Sequence, residues 1–159
     1  MRFSKFKAIT MCLLIAIAAR GAFAGSQCKT FFAVQNDRLT TEGCTTGFCA
    51  AGTFTGNHGF NGNFFFTGLP FETILSDPLK RQVVPGISTY TTADGSLTIS
   101  DVSVFDSDAE HRTFAGIGRI TAGTGRFAGA TGDVFTTGRV GADGVSFTTD
   151  MTAQICFPN

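Results

Sequence analysis

Residues equipped for chemistry are sparse in this chain, and their spacing excludes more than it supports. Only two imidazoles occur, His58 and His111. His58 stands in the turn-forming run Asn57-His-Gly-Phe-Asn-Gly62 and His111 ends the acidic run Asp106-Ser-Asp-Ala-Glu-His111. Both therefore read as solvated side chains rather than as bases or ligands. A Ser-His-Asp hydrolase needs a histidine on a rigid element, and no Gly-x-Ser-x-Gly elbow is present. Asp106-x-Asp108-x-Glu110 has the opening of a calcium loop, but His111 stands where that loop needs glycine and Ile117 where it needs a closing carboxylate. Glycoside hydrolysis needs two placed carboxyl groups. The strand carboxylates are Asp101, Asp133 and Asp150, with Glu72 on a short uncertain segment. Asp101 is the one weak catalytic candidate. If it shares an inward face with Leu97 and Ile99, apolar surroundings disfavour its charged form and suit it to proton exchange. The competing reading makes it a bulge residue that caps backbone amides.

The cysteines are structural in type. Cys12 falls in the N-terminal apolar run, leaving Cys28, Cys44, Cys49 and Cys156. An even set in an exported chain implies two disulfides, with three pairings open. Cys28–Cys156 with Cys44–Cys49 is favoured, since the first joins the chain ends and the second closes a short local loop. Zinc is the rival, but the spacing of Cys44-Thr-Thr-Gly-Phe-Cys49 is wide for a ligand pair without a nearby histidine. No metal site and no cofactor is expected.

What positions these groups is a set of strands. Residues 1–24 read first as a secretory signal: Arg2, Lys5 and Lys7, then an uncharged run from Ala8 to Ala19, then Ala22-Phe-Ala24 before the cut. That run is too short to span the ~30 Å of a bilayer as a helix. Cleavage removes four of twelve basic residues and none of the twelve acidic ones, leaving a net charge of −4. No basic face for nucleic acid or anionic lipid is evident. Residues 25–159 then suit a single domain, secreted or periplasmic.

Thr and Phe alternate through that domain, and no helical period of useful length occurs. Strands are expected from Cys28 to Asn36, through Gly52–Gly56, Asn63–Thr67 and a short Phe71–Leu75, and in a hairpin across Ala93-Asp-Gly-Ser96. Asp37-Arg38 to Gly43 reads as a polar connection. Leu97 and Ile99 share one parity and Val102 and Val104 the other, which predicts a β-bulge near Ser100–Asp101. From Val145 to Phe157 every second position but Thr149 is apolar, with polar residues between them, the clearest strand in the chain. Its apolar face makes Phe147 and Met151 lumen candidates, together with Tyr90 and Phe127. Seven to nine short antiparallel strands imply a closed barrel or a sandwich, closure being the way to remove edges.

Ala122-Gly-Thr-Gly-Arg-Phe-Ala-Gly-Ala-Thr-Gly132 is a tight strand-to-strand connection with Phe127 as its one large apolar side chain. Its spacing fits neither G-x-G-x-x-G nor a P-loop. Arg119 and Arg126 flank it and read as surface residues, with the barrel mouth as the alternative. With the preceding Ile117-Gly-Arg-Ile-Thr, this stretch resembles the signature of the allene oxide cyclase and dirigent protein superfamily, Ala122 replacing one glycine. The resemblance covers roughly residues 95–157. It implies an all-β, single antiparallel eight-stranded barrel, often trimeric, with a lumen for an apolar ligand and a disulfide between the terminal strands, as Cys28 with Cys156 would give. The cyclases look to a carboxylate on the first strand, and Lys29–Asn36 holds none, so the fold is carried over and the activity is not.

The sequence thus predicts a barrel that binds a small hydrophobic molecule in its lumen. A cyclase-type or stereo-directing enzyme is the alternative, and an extracellular structural or adhesion protein the third reading. A homo-oligomer, trimer or dimer, is the expected protein partner.

Overall fold

The computed structural model describes residues 27–70, 81–106, 108 and 110–158. The expected signal segment 1–24 and the short strand expected at 71–75 lie outside them. Eight strands follow in chain order: β1 (Gln27–Thr40), β2 (Cys49–Gly56), β3 (Asn61–Gly68), β4 (Gln82–Thr92), β5 (Gly95–Phe105), β6 (Thr113–Gly123), β7 (Thr131–Val140) and β8 (Ser146–Phe157). Each pairs antiparallel with its neighbour, and β1 pairs with β8, so the sheet closes into an up-and-down barrel. Closure leaves no unpaired edge, which a Thr- and Phe-rich sheet needs if it is not to add strands from other molecules. Among the described residues no helix is long and apolar enough to cross a membrane.

Two disulfides staple the barrel, one of them across the β1–β8 seam. Cys28 lies opposite Cys156 in the β1–β8 register and is disulfide-bonded to it, and Cys44–Cys49 closes the loop into β2. Both pairings are the favoured ones. Cys28 belongs to the outward parity of β1, because Phe31, Ala33, Gln35 and Asp37 point inward. The bond therefore clips the outside of the wall.

Two expectations fail, for related reasons. β1 does not stop at Asn36 but runs to Thr40, since its inward parity continues from Phe31 and Ala33 through Gln35 and Asp37. No bulge interrupts β5: its pairing with β4 is continuous from Gly95 to Phe105. Val102 and Val104 simply face outward, each 39% exposed. The register shift lies on the other side of β5, where Thr98 and Ile99 pair with Ala122 and Ile120, so Thr121 of β6 is the extra residue. Apolar residues on an outer wall are common, so a valine's parity is weak evidence for where it points.

The interior divides into two halves. At the end formed by the β2–β3, β4–β5 and β6–β7 turns, Phe31, Phe54, Phe60, Phe127, Leu97 and Ile155 form a solid core. The glycine stretch belongs here. A 3₁₀ turn (Gly125–Phe127) delivers Phe127 into the core with no exposed surface. Gly125 has φ +56, and a Cβ on it would lie 2.0 Å from the carbonyl oxygen of Asp94. Only glycine allows the two turns to meet that closely. Arg126 ties the third turn in. It donates to the carbonyls of His58 and Gly59 at 3.3 and 3.2 Å, pairs with Asp94 at 3.6 Å, and lies 4.6 Å from the Phe127 ring centre.

Candidate functional site

In the opposite half the inward positions change character. On β1, Phe31 and Ala33 give way to Gln35 and Asp37, which are 4% and 7% exposed. On β4, Tyr90 gives way to Ser88, and on β5, Leu97 and Ile99 give way to Asp101 and Ser103. Thr136 of β7 and Thr149 of β8 continue the polar ring. These residues surround a cavity of about 60 Å³, where one water needs ~10–15 Å³ in the same measure. Phe48, Phe66, Phe105, Phe114 and Phe147 wall it. Phe105 and Phe114 stack at 4.9 Å, and both meet Phe147 edge-on.

Small inward residues make this arrangement fit. A Cβ on Gly118 would come within 2.6 Å of Ile99 and 2.9 Å of the Asp101 Cβ, so glycine in β6 lets those side chains lie across it. Gly86 does the same for the Phe66 ring, 2.1 Å from where its Cβ would stand.

The polar groups form two short chains. Tyr90 donates its hydroxyl to Gln35 Oε1 at 3.0 Å, and the Gln35 amide donates to Asp37 Oδ1 at 3.1 Å. Separately, Ser88 donates to Asp101 Oδ2. Asp101 Oδ1 is buried and has no hydrogen-bond partner. Burial pushes the Asp101 carboxyl up to about 6, opposed by the Ser88 hydroxyl. It pushes Asp37 up to about 6 as well, opposed by Gln35. The Tyr90 phenol is held far above its ordinary range, first by burial and then by the charges of Asp101 and Asp37. Two carboxyl groups that exchange protons near neutrality, beside a phenol that does not, are what this cavity offers chemically.

The residues singled out by sequence fall in both halves. Tyr90, Phe147 and Asp101 line the cavity. Phe127 and Met151 are buried in the solid core and do not line it. Gln35 and Asp37 went unrecognised, because two polar residues after an apolar run look like the end of a strand. Their parity with Phe31 and Ala33 was the available signal.

The remaining polar candidates lie elsewhere. His58 packs edge-on to Phe31 at the solid end, and His111 pairs with Asp106 at 3.5 Å in the β5–β6 loop. Arg119 pairs with Asp133 at 3.3 Å on the outer wall. Asp150, opposite Val34, is also outward and exposed. Glu72 lies outside the described residues. Among those described, no group of three or more His, Cys, Asp or Glu is placed to hold a metal ion.

Compared with protein-family models, with curated proteins and with solved structures, the chain matches none. The chemistry of the site therefore rests on its own geometry.

Proposed function

We propose that this is an exported barrel protein that binds a small, largely hydrophobic molecule in the cavity half of its lumen. One observation carries the reading. Half of the interior is filled by its own side chains, whereas the other half keeps an aromatic-walled space with a few converging polar groups, the usual make-up of a small-molecule site. Two disulfides fit an oxidising compartment, and kinship with the allene oxide cyclase and dirigent barrels is part of the same proposal. Native mass spectrometry of the protein purified without denaturation tests it. A bound small molecule is expected, and Ser103→Leu, which fills the cavity from β5, should abolish it. A protein that is empty from its natural source and takes up no apolar probe would refute the reading.

A second reading has its own support. Asp37 and Asp101, both pushed up to about 6, could give and take protons around a bound reactive substrate. The barrel would then steer a cyclisation or coupling by holding one conformer. Turnover that survives Asp101→Asn and Asp37→Asn together would exclude that role for the carboxyl groups.

Self-association is proposed for the outer wall. Phe32, Phe135, Ile117 and Val102 are exposed and follow one another across the paired strands, interrupted only by Thr152 between Phe32 and Phe135. Light scattering of Phe32→Glu/Phe135→Glu against the parent chain tests it, with a monomeric parent as the contrary result.

A further inference from the structure

Two carboxyl groups share the cavity, Asp37 buried and Asp101 half-buried, and among the described residues that line it there is no lysine, arginine or histidine. Such groups are ordinarily paired inside proteins, because an ionised carboxylate away from water is costly unless a cation or several donors face it. Each has one donor on hand, the Gln35 amide for Asp37 and the Ser88 hydroxyl for Asp101. Neither donor is charged. Asp101 Oδ1 is left buried with no donor at all. The surrounding walls are phenylalanine rings, whose faces attract positive charge.

We propose that the cavity takes a small organic cation, an alkyl- or arylalkyl-ammonium. Its charged group sits against Asp101 and Asp37 while its carbon body lies among Phe105, Phe114 and Phe147. The inference rests on reading the lumen as a small-molecule site, and it names the class of molecule. A neutral apolar ligand would displace what water the carboxyl groups keep and return nothing to Asp101 Oδ1. A hydroxyl would satisfy that oxygen but leave the charge uncompensated. An ammonium group does both.

The pH dependence follows from the groups that face one another. Burial pushes Asp37 and Asp101 up to about 6, and the other titratable group among the described lining residues, Tyr90, stays protonated far above that. The carboxylate form that attracts a cation is therefore present above about pH 6 and lost below it.

Calorimetric titration of the disulfide-intact protein with benzylammonium chloride, and in parallel with benzyl alcohol, is the test. At about pH 7.5 the cation is expected to bind at least about tenfold more tightly than the alcohol. At about pH 5, one unit below the midpoints, that preference should shrink by roughly tenfold, since nine-tenths of each carboxyl is then protonated. Asp101→Asn should weaken the cation by about tenfold or more and change the alcohol by less than about twofold. Asp37→Asn serves as the second variant, and a cooperative thermal transition checks that each remains folded. Equal binding of the two probes at about pH 7.5, or tighter binding of the alcohol, overturns the cation assignment while leaving a small-molecule lumen standing. Binding of neither probe overturns both.

Discussion

The two halves of this barrel are made from the same strands and the same wall, yet they are opposites inside. Along β5 the inward residues run Leu97, Ile99, Asp101, Ser103, Phe105, and along β1 they run Phe31, Ala33, Gln35, Asp37. At the glycine end, turns press on one another and phenylalanines fill the centre. At the cavity end, hydroxyls and carboxyl groups replace them and space remains. A fully packed barrel would gain more from burial, at roughly 25 cal/mol per Å² of apolar surface. Desolvated carboxyl groups in the other half work against stability. Strain of that kind collects where a protein binds or reacts.

Breaking the glycine end should therefore hurt most. Phe127→Ala removes a side chain with no exposed surface and should cost about 3–5 kcal/mol in denaturant unfolding. Phe114→Ala, in the partly open wall of the cavity, should cost well under half of that. Comparable losses at both ends would erase the distinction.

The carboxyl groups should behave in the opposite sense. Their folded values of about 6 lie above the ordinary 3.8, so between about pH 4 and 6 the folded chain holds protons that the unfolded chain has released. Stability then falls as pH rises through that window, and the penalty persists above it. Asp37→Asn should raise stability at about pH 8 by about 2–3 kcal/mol and leave it nearly unchanged at about pH 4. Asp101→Asn should do the same. A variant that is less stable at both values would mean that the carboxylate gains more from its neighbours than the single Gln35 or Ser88 hydrogen bond supplies.

Smaller effects sharpen the contrast. Arg126→Ala should cost about 1–2 kcal/mol, because it removes donors to His58 and Gly59 and the cation over Phe127. It should leave the titration of Asp37 and Asp101 untouched, as a carbon-detected NMR titration would record. Val102→Thr should shift stability by no more than about 0.5 kcal/mol, as befits an outward residue. A loss of several kcal/mol would return Val102 to the interior and the bulge to β5.

Much of the fold is legible in the sequence because β8 alternates so cleanly: Phe147, Thr149, Met151, Ala153 and Ile155 are all buried and their neighbours are not. The glycine stretch likewise marks a tight turn with one inward phenylalanine. The cavity is harder to read for a physical reason. Period-two reasoning assumes that apolar means inward, and a binding lumen reverses it locally. Gln35, Asp37 and Ser103 point inward, while Phe32, Val102 and Ile117 point outward. Asp101 was legible only because it follows Leu97 and Ile99 in parity. Asp37 was not, because the residues around it look like a loop.

The most direct test is an NMR map of where a small neutral probe goes. On titrating benzyl alcohol into isotopically labelled protein, resonances of Phe105, Phe114, Phe147 and Thr149 should shift together and saturably. Those of Phe31, Phe60 and Phe127 should stay in place. Saturable shifts centred on the glycine end or the outer wall, with the cavity residues silent, would contradict the account.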